Sequence, residues 1–179
     1  GTLPPAFLDA FAEILADKNL DRAFTAAALT LPGEQDIAQK MPVVDVDAIH
    51  RVREGARRQI GLTFEEDWRK LYEDCANAPT PANQPESSNR KLKNTALSYL
   101  IATGKEDYVT LADTQYRKAT NMTDSVAALA SLKDITHPVR NDMFASYYEK
   151  WQKDALIVDK WFTLQAMAVR ESTLSDIKA

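Results

Sequence analysis

Two histidines and one cysteine are the side chains of this 179-residue chain best suited to chemistry. His50 and His137 lie far apart, and neither belongs to an H-E-x-x-H helix. In that motif two imidazoles one turn apart grip zinc and the glutamate serves as base. His50 is close to Asp45 and Asp47, which could join it around a cation, but a surface or capping role is the ordinary reading. His137 precedes Pro138 and is expected to end a loop through a hydrogen bond. Cys75 follows Glu73 and Asp74, whose charge raises a thiol pKa, so a poor nucleophile is expected. A single cysteine can neither close an intrachain disulfide nor cage zinc with thiolates. A serine-histidine-aspartate device would need a strained nucleophile turn, and no G-x-S-x-G occurs. Gly55 and Gly61 are the closest pair of glycines, yet five residues separate them and Leu62 follows where a phosphate loop has Lys. No catalytic, cofactor-binding or metal-binding residue is assigned within the chain.

The charged and aromatic groups have similarly plain readings. Arg51 and Arg58 share one side of a helix while Arg53 and Arg57 lie roughly opposite, so they form no phosphate-tracking stripe. Arg90, Lys91 and Lys93 are too few to bind nucleic acid. Glu65, Glu66 and Asp67 could ligate calcium but more simply complement a helix dipole. Asn121-Met122-Thr123 matches a glycosylation acceptor pattern and is discounted for want of a secretory signal. Tyr147, Tyr148, Trp151, Trp161 and Phe162 could form a ligand surface, but their helical spacing predicts core.

The elements that must position these residues are helical. Five glycines and eight prolines between apolar stretches favour helices over tight-turned sheets. Phe7, Leu8, Phe11, Ile14 and Leu15 form a helical stripe that starts at Pro4-Pro5. Leu20, Phe24, Ala27 and Ala28 form a second, ended by Pro32-Gly33, and a short turn covers Gln35 to Gln39. Val43, Val44 and Val46 read as a connector. Asp45 or Asp47 then caps a helix over about 48–60, with Gly61 as its stop. Thr63 and Glu66 have the spacing of a capping box opening a helix with Phe64, Trp68, Leu71 and Tyr72. Leu92, Ala96, Leu97, Leu100 and Ile101 make the next face, closed by Gly104. Tyr108, Leu111 and Ala112 follow, then Val126, Leu129 and Ala130 behind Asn121. Val139, Met143, Tyr147 and Trp151 step by four, with Phe144 and Tyr148 widening the stripe, and a last helix holds Ile157, Trp161, Phe162, Leu164 and Met167.

A net charge of −4, from 22 Lys+Arg against 26 Asp+Glu, supplies no broad footprint for nucleic acid or anionic lipid. No apolar run approaches the roughly 18–20 residues that span a bilayer. The start, Gly1-Thr2-Leu3-Pro4-Pro5, has no signal-peptide pattern and reads as the beginning of an excised piece. Residues 78–88, rich in proline and small polar residues, are expected to be an exposed loop and an internal boundary. Short connections between helices of about 10–16 residues predict antiparallel helix pairs in an irregular, ARM/HEAT-like α-solenoid.

Four segments in register resemble the C-terminal helical domain of the bacterial aminopeptidase N family, zinc metallopeptidases of the gluzincin group. They are Leu29-Thr30-Leu31-Pro32 with the Asp47-to-Arg53 helix, and Arg90-Lys91-Leu92-Lys93-Asn94 leading into Leu97. The third is Ala119-Thr120-Asn121-Met122-Thr123-Asp124 before Ala127-Ala128-Leu129. The fourth is Tyr148-Glu149-Lys150-Trp151, then Val158-Asp159-Lys160-Trp161-Phe162 and Gln165-Ala166. The resemblance covers nearly the whole chain, 1–179. It implies an arch of paired helices packed over a catalytic cleft that another domain supplies, and zinc held there and not here. None of that family's catalytic motifs falls in this chain, so no zinc ligand or base carries over. Asn121 and Asp124 read as structural, with Asn121 or Thr123 capping the following helix.

The reading is therefore a non-catalytic piece of a zinc aminopeptidase, a scaffold and lid that limits access to the active-site chamber. Its expected partners are the catalytic domain of its own parent chain and the parent's peptide substrates, with no nucleic acid and no membrane. A cytoplasmic location is expected. The alternative is a free-standing helical-repeat module that binds protein or peptide on a concave face. Trp161, Phe162 and Met167 are expected to be partly exposed and to cause weak self-association.

Overall fold

The computed structural model describes residues 2–77, 79 and 84–178. Among them are eleven helices and no strand: α1 (Pro5–Ala16), α2 (Arg22–Ala28), α3 (Glu34–Ala38), α4 (Val46–Thr63), α5 (Glu65–Asn77), α6 (Glu86–Ala102), α7 (Glu106–Lys118), α8 (Met122–Leu132), α9 (Pro138–Trp151), α10 (Ala155–Ala166) and α11 (Thr173–Lys178). The expected all-α fold is what the chain adopts. The helices fall into two compact units, Gly1–Gly104 and Lys105–Ala179. The division follows Gly104, not the 78–88 stretch. That stretch joins α5 and α6, which pack on each other within the first unit, and its last three residues already belong to α6. Its residues 78 and 80–83 lie outside the described residues.

In the first unit, α2, α4 and α5 all pack on α6, whose Leu92, Ala96, Leu97, Tyr99, Leu100 and Ile101 are buried. Trp68 of α5 stacks on Tyr99, ring centroids 4.5 Å apart, and Phe11 of α1 meets Tyr99 edge-on. Such aromatic pairs each contribute roughly 0.5–1.5 kcal/mol beyond area burial. The Tyr99 hydroxyl donates to the Leu29 carbonyl at 2.6 Å, fixing the end of α2 to α6. Gly104 closes α6 at φ +79°, a conformation costly for any residue with a Cβ, and its N–H bonds the Ile101 carbonyl.

Three local expectations change here. Gly61 does not stop α4, which runs on to Thr63. Gly61 is buried where α4 crosses α6, and its missing side chain lets the two backbones approach. Thr63 therefore ends α4 and opens no capping box, because Phe64 alone separates α4 from α5. Each of those helices packs more extensively on α6 than on the other, so they are no simple hairpin. In α2 the buried residues are Thr25 and Ala26, while Phe24 is 56% exposed.

In the second unit, Tyr108, Val109 and Ala112 of α7, Ala128, Leu129 and Leu132 of α8, and Met143, Phe144 and Tyr147 of α9 are buried. Asn121 caps α8: its Oδ1 accepts from the Asp124 N–H at 2.9 Å, and its Nδ2 donates to Asp124 Oδ2 at 3.1 Å. Pro138 opens α9, where its missing N–H leaves no bond unmade. α11, beyond the last expected helix, packs on α10.

Candidate functional site

Both histidines are paired with a carboxylate of another helix. The His50 Nδ1 lies 2.8 Å from Glu34 Oε1, tying α4 to α3, while Asp45 accepts from the Ala48 N–H as the cap of α4. His50 and Asp45 thus serve different bonds. His137 accepts the Val139 N–H on Nδ1 at 3.2 Å and faces Glu106 with Nε2 at 3.0 Å. Those two bonds together specify the Nε2–H tautomer when the ring is neutral. Among the described residues no three His, Cys, Asp or Glu side chains converge as a metal site. The described residues offer no donor set that fits a zinc ion.

Cys75 is buried, and burial itself is the main reason its thiol is pushed up; Arg22 opposes the shift and Asp74 adds to it. The acidic neighbours were the expected cause, but desolvation outweighs them. A cavity of about 190 Å³ beside Cys75 is lined in part by Arg22, Asp74, Gln84 and Leu92.

The arginines of α4 divide as their spacing requires. Arg53 donates to the Pro32 carbonyl at 2.8 Å and pairs with Glu54, as does Arg57, while Arg51 and Arg58 are exposed. Glu65, Glu66 and Asp67 occupy the first turn of α5, where acids complement the dipole, and Glu66 pairs with Arg69. The aromatic group is only partly core. Tyr147 is buried, Trp151 and Trp161 are half-buried, and Tyr148 and Phe162 are exposed. Trp161 donates its indole N–H to the Phe144 carbonyl at 2.9 Å, which orients the ring without burying it fully.

One polar cluster in the second unit was not anticipated. Arg140 of α9 is 3% exposed, bonds Gln165 of α10, and lies over the Phe144 ring at 4.0 Å. Arg170 approaches the same Asp176 oxygen, at 2.9 Å against 3.9 Å for Arg140. Burial, then the positive charge of Arg170, pushes the Arg140 guanidinium down to about 10, with Asp176 and Asp134 opposing. The available signal was Arg140 four residues before Phe144, a charged residue within an apolar stripe.

Two further concavities differ in their lining. One, of about 280 Å³, lies between α3 and α4; Leu31, Ile37, Met41, Ile49, Val52 and Ala56 contribute to its wholly apolar lining. The other, of about 740 Å³, lies between α8 and α10, where Met122, Val126 and Leu164 are joined by Asp159 and Lys160.

Aminopeptidase N of Escherichia coli K12 is 29% identical over 177 residues, covering 99% of this chain and 20% of the relative. Aminopeptidase N of Haemophilus influenzae is 30% identical over 176 residues, covering 98% of this chain and 20% of the relative. The chain thus spans about a fifth of the length of these curated relatives. The crystal structure of Legionella pneumophila aminopeptidase A in complex with aspartic acid matches in fold at a TM-score of 0.86 with 22% identity, covering 99% of this chain and 22% of that one. The resemblance to a domain of aminopeptidase N holds, and an ARM-repeat classification agrees with the expected α-solenoid. Matched over residues 1–179, the chain belongs to the family described as a domain of unknown function (DUF3458_C) of ARM repeats.

Proposed function

We propose that this chain is a scaffold and lid segment from the C-terminal helical domain of a zinc-dependent aminopeptidase, one that releases N-terminal amino acids from peptides. The observation that carries the reading is near-complete coverage of this chain by a fifth of two aminopeptidases N at 29–30% identity. Support comes from the buried aromatic helix crossings, the paired histidines and the apolar concavity between α3 and α4. Zinc, and the water it activates when bound, belong to another domain of the parent polypeptide. This segment packs against that domain and restricts what reaches it. A cytoplasmic location belongs to the same proposal.

The test compares the full-length polypeptide with the 179-residue chain on amino-acid amide chromophores, with and without zinc, and on peptides of increasing length. Turnover by the full-length polypeptide alone, declining as substrates grow, is the expected result. Zinc-dependent turnover by the short chain itself would refute the proposal. A second reading, a free-standing helical-repeat binder, draws support from the groove between α8 and α10. An open reading frame with no peptidase domain would favour it.

A further inference from the structure

Arg140 and Arg170 form a basic pair that the second unit answers with one shared carboxylate. The body of that unit holds both guanidiniums. Arg140 bonds Gln165 of α10 and lies over the Phe144 ring of its own helix. Arg170 follows a turn pinned to the end of α8, where Lys133 donates to the Met167 carbonyl and the Val169 N–H donates to Asp134. Asp134 is itself neutralised by Lys133 at 2.6 Å. Two positive charges therefore face the single negative charge of Asp176.

The donors are met as unevenly as the charges. A guanidinium carries N–H donors on all three nitrogens and accepts nothing. The Arg140 and Arg170 side chains are 3% and 7% exposed, yet the Nε of each is buried with no partner among the described residues. Asp176 turns one oxygen, Oδ2, to both arginines, and that oxygen also accepts from the Ser172 hydroxyl at 3.1 Å. The carboxylate arrives on α11, a helix of 6 residues with none buried, which Thr173 ties back to the Ala168 carbonyl at 2.7 Å. The receptor is thus built into the packed helices, and its occupant rides on a weakly held one.

We propose that Arg140 and Arg170 form a binding site for a phosphate-type dianion, with Asp176 as its displaceable built-in occupant. The seated carboxylate shows the ligand chemistry the pair selects, an oxyanion. A dianion cancels both charges and brings acceptor oxygens that the unpartnered donors lack. Asp176 competes because α11 keeps it at high effective concentration, and displacement of α11 opens the pair. The proposal is independent of the peptidase reading.

Inorganic phosphate, titrated against sodium chloride of matched ionic strength into the 179-residue chain and its Asp176→Ala variant, tests this by calorimetric binding and thermal melting. Asp176→Ala should bind phosphate saturably, at concentrations roughly tenfold or more below those acting on the unsubstituted chain. Its melting temperature should rise in step. Adding Arg170→Met should abolish both effects. Should Asp176→Ala be unfolded in chloride, phosphate should restore its helical circular dichroism saturably. Equal responses of the two chains would show only the general stabilising action of phosphate as a salt and would overturn the proposal. Absence of binding or of restored folding, or binding that survives Arg170→Met, would also overturn it. Acetate as effective as phosphate would make this a simple carboxylate site and would overturn the dianion assignment.

Discussion

Gly61 and Tyr99 meet backbone to backbone: a Cβ built on Gly61 would lie 2.4 Å from the Tyr99 carbonyl oxygen. The contact sets how closely α4 crosses α6, and a peptide carbonyl held in a helix has little freedom to retreat. Gly61→Ala should therefore destabilise by about 1–3 kcal/mol despite alanine's higher helix propensity. Gly55, six residues earlier on the same helix, has nothing within 4 Å of the equivalent position. Gly55→Ala should stabilise by about 0.5–1 kcal/mol. Urea melts of the two variants should move in opposite directions, and equal shifts would contradict the crossing geometry.

Tyr99 makes the first unit sensitive to alkali. Burial pushes its phenol up to about 12 from the usual 10. The folded state therefore holds this proton more tightly than the unfolded state does. The associated stability is complete below pH 10 and is lost as pH rises toward 12. Phenolate absorbance should show Tyr99 ionising late, together with unfolding. Tyr99→Phe should abolish that late component and cost about 1–3 kcal/mol, since it strips the Leu29 carbonyl of its hydroxyl donor.

Asp176 holds α11 by answering two guanidiniums. Asp176→Asn would leave Arg140 and Arg170 close together without their shared carboxylate. A loss of about 2–3 kcal/mol is expected, below the range for wholly buried pairs because Asp176 retains some solvent contact. Combining it with Arg140→Met should recover part of the loss. A strictly additive double mutant would show that the two residues are not coupled.

Exposed apolar groups on α10 and beyond it should make the isolated chain sticky. Leu156, Phe162 and Met167 are 79%, 43% and 63% exposed. Light scattering should show weak, concentration-dependent association, reduced by Phe162→Ser. A monodisperse monomer at high concentration would remove the prediction.

Metal content offers an independent measurement. After dialysis the 179-residue chain should retain no stoichiometric zinc, because His50 and His137 are each spent on one carboxylate. One ion held tightly per chain, lost on His50→Ala or His137→Ala, would contradict that assignment.

Local sequence determined those features whose energetics are local. Apolar residues at helical spacing defined α1 and α5 to α9. Asn121 and Pro138 marked helix starts because each meets the bonding needs of a first turn, and Gly104 marked a stop because only glycine takes its backbone angle cheaply. Tertiary structure decided the roles that depend on which face meets which. It turned Gly61 from a stop into a crossing, left Phe24 exposed while burying Thr25, and drew Arg140 into the core beside Gln165. It also gave His50 to Glu34, sixteen residues away. Periodicity tells where a helix has an apolar side, but only packing fixes the neighbour that fills it, and a residue's task follows from that neighbour.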